Sequence, residues 1–393
     1  MSYRGVLVDL FPGLFPGGGI GRYVRDVAAA LQTRPGAPPA RLAYPRPWRA
    51  DVRGRYPHEM LYEIPMGWRA LRARFVAGAW LGWGADRLYG EPAVFHSPLG
   101  HGPIFRRARL IAHVHDLTFL EHPEWHPFRT SFFYRQTIPA AVRHATVVLC
   151  HSHFVRQRVV RVFGVAPERA ITIHPPLGHG FRAVSHDQAV RHTRSRFGLE
   201  GDFVLHVGTL EPRKNHIGLV AAFERLRRAG FRGPLVLVGQ DGWRIAPILA
   251  CLEQSAERNA IRRIRDANDE DLAALYGACT FLAFPSLEEG FGMPLLEAMA
   301  CGAASVSGDH PTLVELAEGR ALFVPAADAD ALAEAMIRLW RDPDLRARLA
   351  AGGPERAAGY AFDLWAEKTF SLYRSELRAA GVAIDGDASR AAS

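Results

Sequence analysis

The chain has 393 residues, of which 48 are Lys or Arg, 40 are Asp or Glu, and 48% are hydrophobic, enough for two globular domains and too apolar for a disordered chain. No apolar run approaches the ~20 residues that span a bilayer, and Asp9 breaks the apolar run at the start, so no signal peptide is expected. Charge is split: residues 1–200 hold 27 Arg and no Lys against 13 acidic residues, a net of +14, whereas residues 201–393 net −6.

Gly5–Leu10 is an apolar run suited to a buried first strand. It leads into Phe11-Pro12-Gly13-Leu14-Phe15-Pro16-Gly17-Gly18-Gly19-Ile20-Gly21, after which Val24, Val27, Ala28 and Leu31 recur at helical spacing. Strand, glycine-rich loop and helix in that order place backbone N–H groups around a phosphate, with Gly18 and Gly19 as candidate contacts. Two familiar nucleotide motifs are excluded. The third position of G-x-G-x-x-G is Val24, and no G-K-[ST] occurs there. Pro35–Pro57 reads as irregular connection with a short strand at Ala40–Tyr44.

In Trp68–Trp83, arginines precede eleven uncharged residues that include Trp80 and Trp83. This segment is a helix that either covers a sheet or lies in a membrane interface. Ala93–Ser97 and Arg109–Val114 are strands, and the second runs into His113-Val114-His115-Asp116-Leu117. An imidazole and a carboxylate at a strand's carboxyl end suit the crevice of an open α/β sheet. His113 and His115 share a strand face, as two metal ligands would, but no further ligand cluster is evident beside them. Ala145–Cys150 is a strand, Ser152-His153-Phe154 opens a helix to Phe163, and Ala170–His174 is the last strand of this half. From Pro175 to about Glu200 the chain reads as a polar, Arg-rich linker. The four cysteines (Cys150, Cys251, Cys279, Cys301) form neither a metal pattern nor a disulfide framework, which favours a reducing cytoplasm.

Phe203–Gly208 is a buried strand, followed by Thr209-Leu210-Glu211-Pro212-Arg213-Lys214-Asn215 and a helix over Ile217–Arg228. The chain has two lysines, Lys214 and Lys368, and one of them stands beside Arg213 at a strand-to-helix turn. A compact ammonium and a planar guanidinium together suit a diphosphate. Leu235–Gly239 and, more weakly, Ile261–Arg265 are strands, and Asn268 with Asp271 makes a capping box for a helix through Tyr276. Thr280–Phe284 is a further buried strand. After it comes Pro285-Ser286-Leu287-Glu288-Glu289-Gly290-Phe291-Gly292-Met293-Pro294-Leu295-Leu296-Glu297-Ala298-Met299-Ala300-Cys301-Gly302. Pro294 suits a helix start and Gly302 a stop. Gly290 and Gly292 make a tight turn where backbone can approach a ligand, and the helix start around Phe291, Met293 and Pro294 offers backbone N–H groups to phosphate, Pro294 itself having none. Glu289 and Glu297 flank that turn. Carboxylates there make sense if they hold hydroxyls, and a sugar nucleotide carries both phosphates and hydroxyls. Ala303–Ser307 is a strand, helices follow at about Thr312–Leu316, Ala329–Trp340 and Pro343–Ala350, and Phe362–Leu377 is a last amphipathic helix.

The run from Pro285 to Gly302, with Glu289, seven residues and then Glu297, resembles the signature of family 4 of the retaining glycosyltransferases. V-G-T-L-E-P-R-K-N resembles a subgroup of bacterial α-mannosyl- and related transferases, and the glycine-rich first loop and H-D-L-x-F-L are similar to further family elements. The resemblance covers residues 5–378 with its motifs in order. It implies the GT-B fold: α/β, two Rossmann-like doubly wound parallel-sheet domains facing a cleft. Residues 1–180 would be the acceptor-side domain, 181–200 a linker and 201–358 the nucleotide-sugar domain. Residues 359–378 would form a helix crossing back to the first domain, and 379–393 a disordered tail. The implied reaction is retaining, metal-independent hexose transfer without a cofactor. The donor would be a nucleoside-diphosphate sugar, GDP-mannose on subgroup resemblance, and the acceptor a hydroxyl of a glycan or lipid-pyrophosphate-linked molecule in polysaccharide or O-antigen-type biosynthesis.

Within that resemblance Glu297 would hold the ribose, and Glu289 and His115 would orient the sugar. Arg213, Lys214 and the amides around Gly208 and Thr209 would steady the leaving diphosphate. The protein would be cytoplasmic, with an anionic membrane surface as a candidate partner for its basic half. Thr209 departs from the family, since many members carry Arg there, as do His153, where Glu is usual, and Ala304, where Pro is usual. Alternatives stay open: a UDP- or dTDP-sugar with a soluble acceptor, an NAD-dependent nucleotide-sugar epimerase, or a nucleic-acid binder. The failed dinucleotide fingerprint counts against the epimerase, and the lack of aromatic-basic interleaving against the last.

Overall fold

The structure, a computed structural model, describes residues 3–15 and 18–384; Pro16 and Gly17 of the glycine-rich loop and the expected tail beyond 384 lie outside the described residues. The chain divides into two units. The first comprises Met1–Pro123, Phe128–Pro175 and Asp363–Ser393, and the second Glu124–Pro127 and Pro176–Phe362.

In the first unit seven parallel strands run in the order β3-β2-β1-β4-β5-β6-β7. They are β1 Val6–Asp9, β2 Ala40–Pro45, β3 Leu61–Ile64, β4 Val94–Ser97, β5 Arg109–Val114, β6 Val147–Cys150 and β7 Ala170–Thr172. Every residue of β1, β4 and β6 is buried, as expected where helices cover both faces of a parallel sheet. Because β1 pairs with both β2 and β4, the order reverses between β1 and β4. Open α/β sheets bind ligands beyond the carboxyl ends of their strands at such a reversal. The last helix, Phe362–Ala379, is tied to this sheet from Asp363 onward. Tyr373 Oη lies 2.6 Å from His96 Nδ1, and Arg109 Nε donates to Glu376 at 2.9 Å. Val382 is buried and its N–H bonds to the Leu377 carbonyl, so the expected disorder does not hold for the first residues past 378.

The second unit repeats the plan with six parallel strands in the order β10-β9-β8-β11-β12-β13. They are β8 Val204–Val207, β9 Leu235–Val238, β10 Ile261–Ile264, β11 Phe281–Phe284, β12 Ser305–Gly308 and β13 Leu322–Val324. Alternate residues serve opposite faces. Leu205, Val207, Val236 and Val238 join one core, whereas Val204, Leu235 and Leu237 join the other. Two buried faces are why these strands read as unbroken apolar runs. The order reverses between β8 and β11, the strands that precede Arg213-Lys214 and Glu288-Glu289.

Residues 181–200, expected as a linker, instead contain the helix His186–Phe197. Ser185 caps it by accepting from Gln188 N at 3.3 Å, and it buries only Ala189 and Thr193. So narrow an apolar stripe hides a helix in an Arg-rich segment. Its arginines therefore count with the second unit, yet the first still carries 27 basic against 15 acidic side chains, a net of +12. The helix Phe128–His144 also lacks a counterpart in the sequence pattern, because Pro139 stands inside it.

Candidate active site

The turn after β8 is a short 3-10 segment, Pro212–Lys214, closed by Asn215 in the left-handed region at φ 55. Asn215 then caps the helix His216–Arg228, accepting from Gly218 N at 3.2 Å. Gly239, at the end of β9, is fixed by close approach: a Cβ there would lie 2.1 Å from the Gly208 carbonyl oxygen. The turn after β11 carries Glu288 and Glu289, and the helix Met293–Ala300 starts from Gly292. Gly292 has φ 103, and a Cβ on it would lie 2.4 Å from Leu313 Cδ2, so the turn needs glycine twice over.

Adjacency of β8 and β11 brings the two turns together. Arg213 Nη1 donates to Glu289 Oε2 at 2.9 Å and to the Glu288 carbonyl at 3.1 Å, while its Nε lies 2.8 Å from Glu211. Lys214 Nζ donates to Glu289 Oε1 and stands 4.9 Å from the Phe284 ring centroid. The Leu287 N–H bonds to the Arg213 carbonyl at 2.8 Å, stitching one turn to the other. Burial alone would push the Glu289 carboxyl up; the Arg213 and Lys214 charges outweigh it and hold the pKa at about 2. Burial lowers the Lys214 pKa, helped by repulsion from Arg213. The two adjacent cations thus share a cluster with two carboxylates, and Arg213 is the more exposed cation at 22% against 7% for Lys214.

Glu297 lies on the buried face of the helix Met293–Ala300 and accepts a hydrogen bond from Tyr276 Oη at 2.9 Å. Phe291 is buried edge-on against Tyr360, with ring centroids 5.6 Å apart, whereas Gly290, Met293 and Pro294 are half-buried. Gly208 and Thr209 are also half-buried at the end of β8. Glu211 was not singled out in the sequence. Its only signal is a carboxylate two residues before Arg213.

Gly18, Gly19 and His115 belong to the first unit. Gly18 has φ 74 and precedes the helix Gly19–Thr33 without a side-chain cap, and a Cβ on either glycine would meet nothing within 4 Å. Asp9, at the end of β1, accepts from Phe11 N at 3.1 Å, and burial pushes its carboxyl up to about 7. His115 is half-buried, with Nε2 2.5 Å from the Pro98 carbonyl oxygen. The expectation that no further ligand stands beside His113 and His115 is corrected. His151 follows β6, and its ring centroid lies 4.1 Å from that of His113 and 4.8 Å from that of His115. His96 lies on β4, 6.2 Å from His113 by the same measure. Only the sheet order joins these residues. The signal in the sequence was His-x-His at the end of two neighbouring strands, His113/His115 and His151/His153.

Two family models match the chain: glycosyltransferase family 4 over residues 17–177 and glycosyl transferases group 1 over residues 188–356. Together they cover most of the chain, one on each sheet. The protein belongs to the GT-B glycosyltransferases of family 4. It is 28% identical over 279 residues to the O-antigen chain mannosyltransferase B of Escherichia coli, which spans 70% of this chain and 73% of that protein. It is 30% identical over 212 residues to the serotype-specific mannosyltransferase WbdA of Escherichia coli, covering 51% of this chain but 25% of that much longer protein. Sucrose-phosphate synthase from Thermosynechococcus elongatus shares the fold, with a TM-score of 0.75 at 21% identity over 95% of this chain and 99% of that one.

Proposed function

We propose that this glycosyltransferase moves mannose from GDP-mannose, with retention of configuration and without a metal ion, to a hydroxyl of a glycan or lipid-pyrophosphate-linked acceptor in O-antigen-type polysaccharide assembly. The observation that carries the reading is the Arg213–Glu289–Lys214 cluster at the β8/β11 reversal. The mannosyltransferase relatives support the choice of sugar. In this reading Arg213 and the N–H groups at the start of the helix Met293–Ala300 take the diphosphate, which gains charge as the glycosidic bond breaks. Glu297, positioned by Tyr276, accepts from the ribose hydroxyls. Glu289 is held ionised by its two cations and accepts from a sugar hydroxyl. His115, in the first unit, orients the sugar.

A thermal-shift panel of nucleoside-diphosphate sugars tests the donor. GDP-mannose at ~100 times its Kd should stabilise the protein by ~2.7 kcal/mol. A larger shift with a UDP- or dTDP-sugar would replace the donor assignment.

A further inference from the structure

We propose that His113, His115 and His151 form a three-imidazole site for a borderline divalent cation of the zinc class, and that a cation bound there competes with sugar transfer by engaging His115. The competition rests on the sugar role proposed for His115; the binding does not.

The site follows from the sheet. β5 and β6 are parallel neighbours with Val114 opposite Cys150, so the next residues, His115 and His151, leave the two strands side by side. His113 stands two residues before His115 on the same face, and their ring centroids are 4.2 Å apart. One ring nitrogen from each histidine lies within 4.8 Å of one from each of the others. Zinc–imidazole bonds of 2.0–2.1 Å imply a nitrogen spacing of roughly 3.4 Å in a tetrahedral shell, so small ring rotations close the set.

Hydrogen bonding supports this use. His113 is fully buried, and neither of its ring nitrogens has a hydrogen-bond partner among the described residues. Burying an imidazole that way is costly, and a cation would relieve the part of that cost due to its lone pair. A carbonyl can only accept, so the Pro98 carbonyl takes an N–H from His115 Nε2, and the Ile173 carbonyl, 3.4 Å from His151 Nδ1, takes one there. That makes Nδ1 the basic nitrogen of His115. Metal-bound histidines are oriented in this manner, each giving its other N–H to a carbonyl or carboxylate. The Tyr23 ring packs edge-to-face with those of His113 and His151 at centroid distances of 4.9 and 5.2 Å, and His115 is half-buried. An all-nitrogen set selects zinc-class ions over Mg²⁺ or Ca²⁺.

The test titrates metal-stripped, full-length protein with Zn²⁺ against a chromophoric chelator and records the X-ray absorption spectrum of the 1:1 complex. We expect one Zn²⁺ per chain at micromolar or tighter Kd and an imidazole-dominated shell near ~2.0 Å. His113→Gln and His151→Gln should each weaken binding at least tenfold, and His153→Gln, nearby but outside the set, should not. Zn²⁺ should slow sugar transfer, and EDTA should restore it. Failure to bind stoichiometrically, a shell containing sulfur or several carboxylates, or undiminished binding in His151→Gln would overturn the site. If His113→Gln does not fold, His151→Gln and the wild-type spectrum decide. Binding at the site with unchanged transfer would overturn the competition, whereas absence of transfer without zinc would bear on the proposed function alone.

Discussion

Glu289 shows how one side chain can be committed in structure and still serve a reaction. Its carboxylate is buried between Arg213 and Lys214, so its charge and direction are set before a ligand arrives. Glu289→Gln removes that charge while both cations stay. GDP should then bind at least as tightly as to wild type, while sugar transfer falls by a factor of one hundred or more. Glu297→Gln should do the reverse, because a hydrogen bond to a charged group contributes roughly 1.5–3 kcal/mol. Calorimetric GDP affinity should drop at least tenfold in that variant. Equal loss of GDP binding in both variants would contradict the separate roles. That Arg213, Lys214 and Glu289 stand at strand-to-helix turns, and Glu297 in the helix that follows, is legible in the sequence. Their pairing is not. That Glu289 neutralises Lys214, or that His151 meets His113, depends on which strands are neighbours, and no local pattern encodes strand order.

Elements with one apolar face or two buried faces were legible: the central strands of both sheets, the capping box at Asn268 and Asp271, and the helix entered through Pro294. Elements that break those rules were not. β3 is a half-buried edge strand, the helix Phe128–His144 contains Pro139, and the helix His186–Phe197 buries two small residues. The segment Trp68–Trp83, ambiguous between a domain helix and an interfacial one, has features of both. Leu71, Phe75 and Gly78 are buried, while Trp80 is 65% and Trp83 53% exposed. Trp80 Nε1 donates to Gln136 at 2.9 Å, which sets it beside a second helix whose Phe128 is 78% exposed. Arg74, Arg87, Arg106 and Arg107 line the cavity at the Trp83 end together with Asp86 and Glu91, a net excess of two positive charges. Aromatics rimmed by arginine suit an anionic lipid surface, where each basic residue contributes ~1 kcal/mol. The full-length protein should therefore co-sediment with anionic vesicles and release as salt rises past physiological strength, where the Debye length is ~8 Å. Trp80→Ser with Trp83→Ser should weaken that binding at least fivefold. Equal binding to neutral vesicles, or none at low salt, would contradict the docking.

At the scale of the whole molecule, one strand order is used twice. Each sheet reverses next to its first strand, and each unit gathers its own polar side chains at the carboxyl ends of its strands. The second unit supplies the cation–carboxylate cluster and the first a glycine-rich loop and a histidine cluster, with charge divided between them as +12 and −4. The parallel α/β class and the existence of two units follow from alternating strand and helix patterns along the chain. The central claim, retaining transfer from GDP-mannose without a metal, can be tested without knowing the acceptor, because water can stand in for it. Proton NMR of GDP-α-mannose incubated with the enzyme and EDTA, read before mutarotation, should show α-mannose first and no release with Glu289→Gln. First appearance of the β anomer, loss of all turnover to EDTA, or consumption of a UDP-sugar in place of GDP-mannose would contradict it.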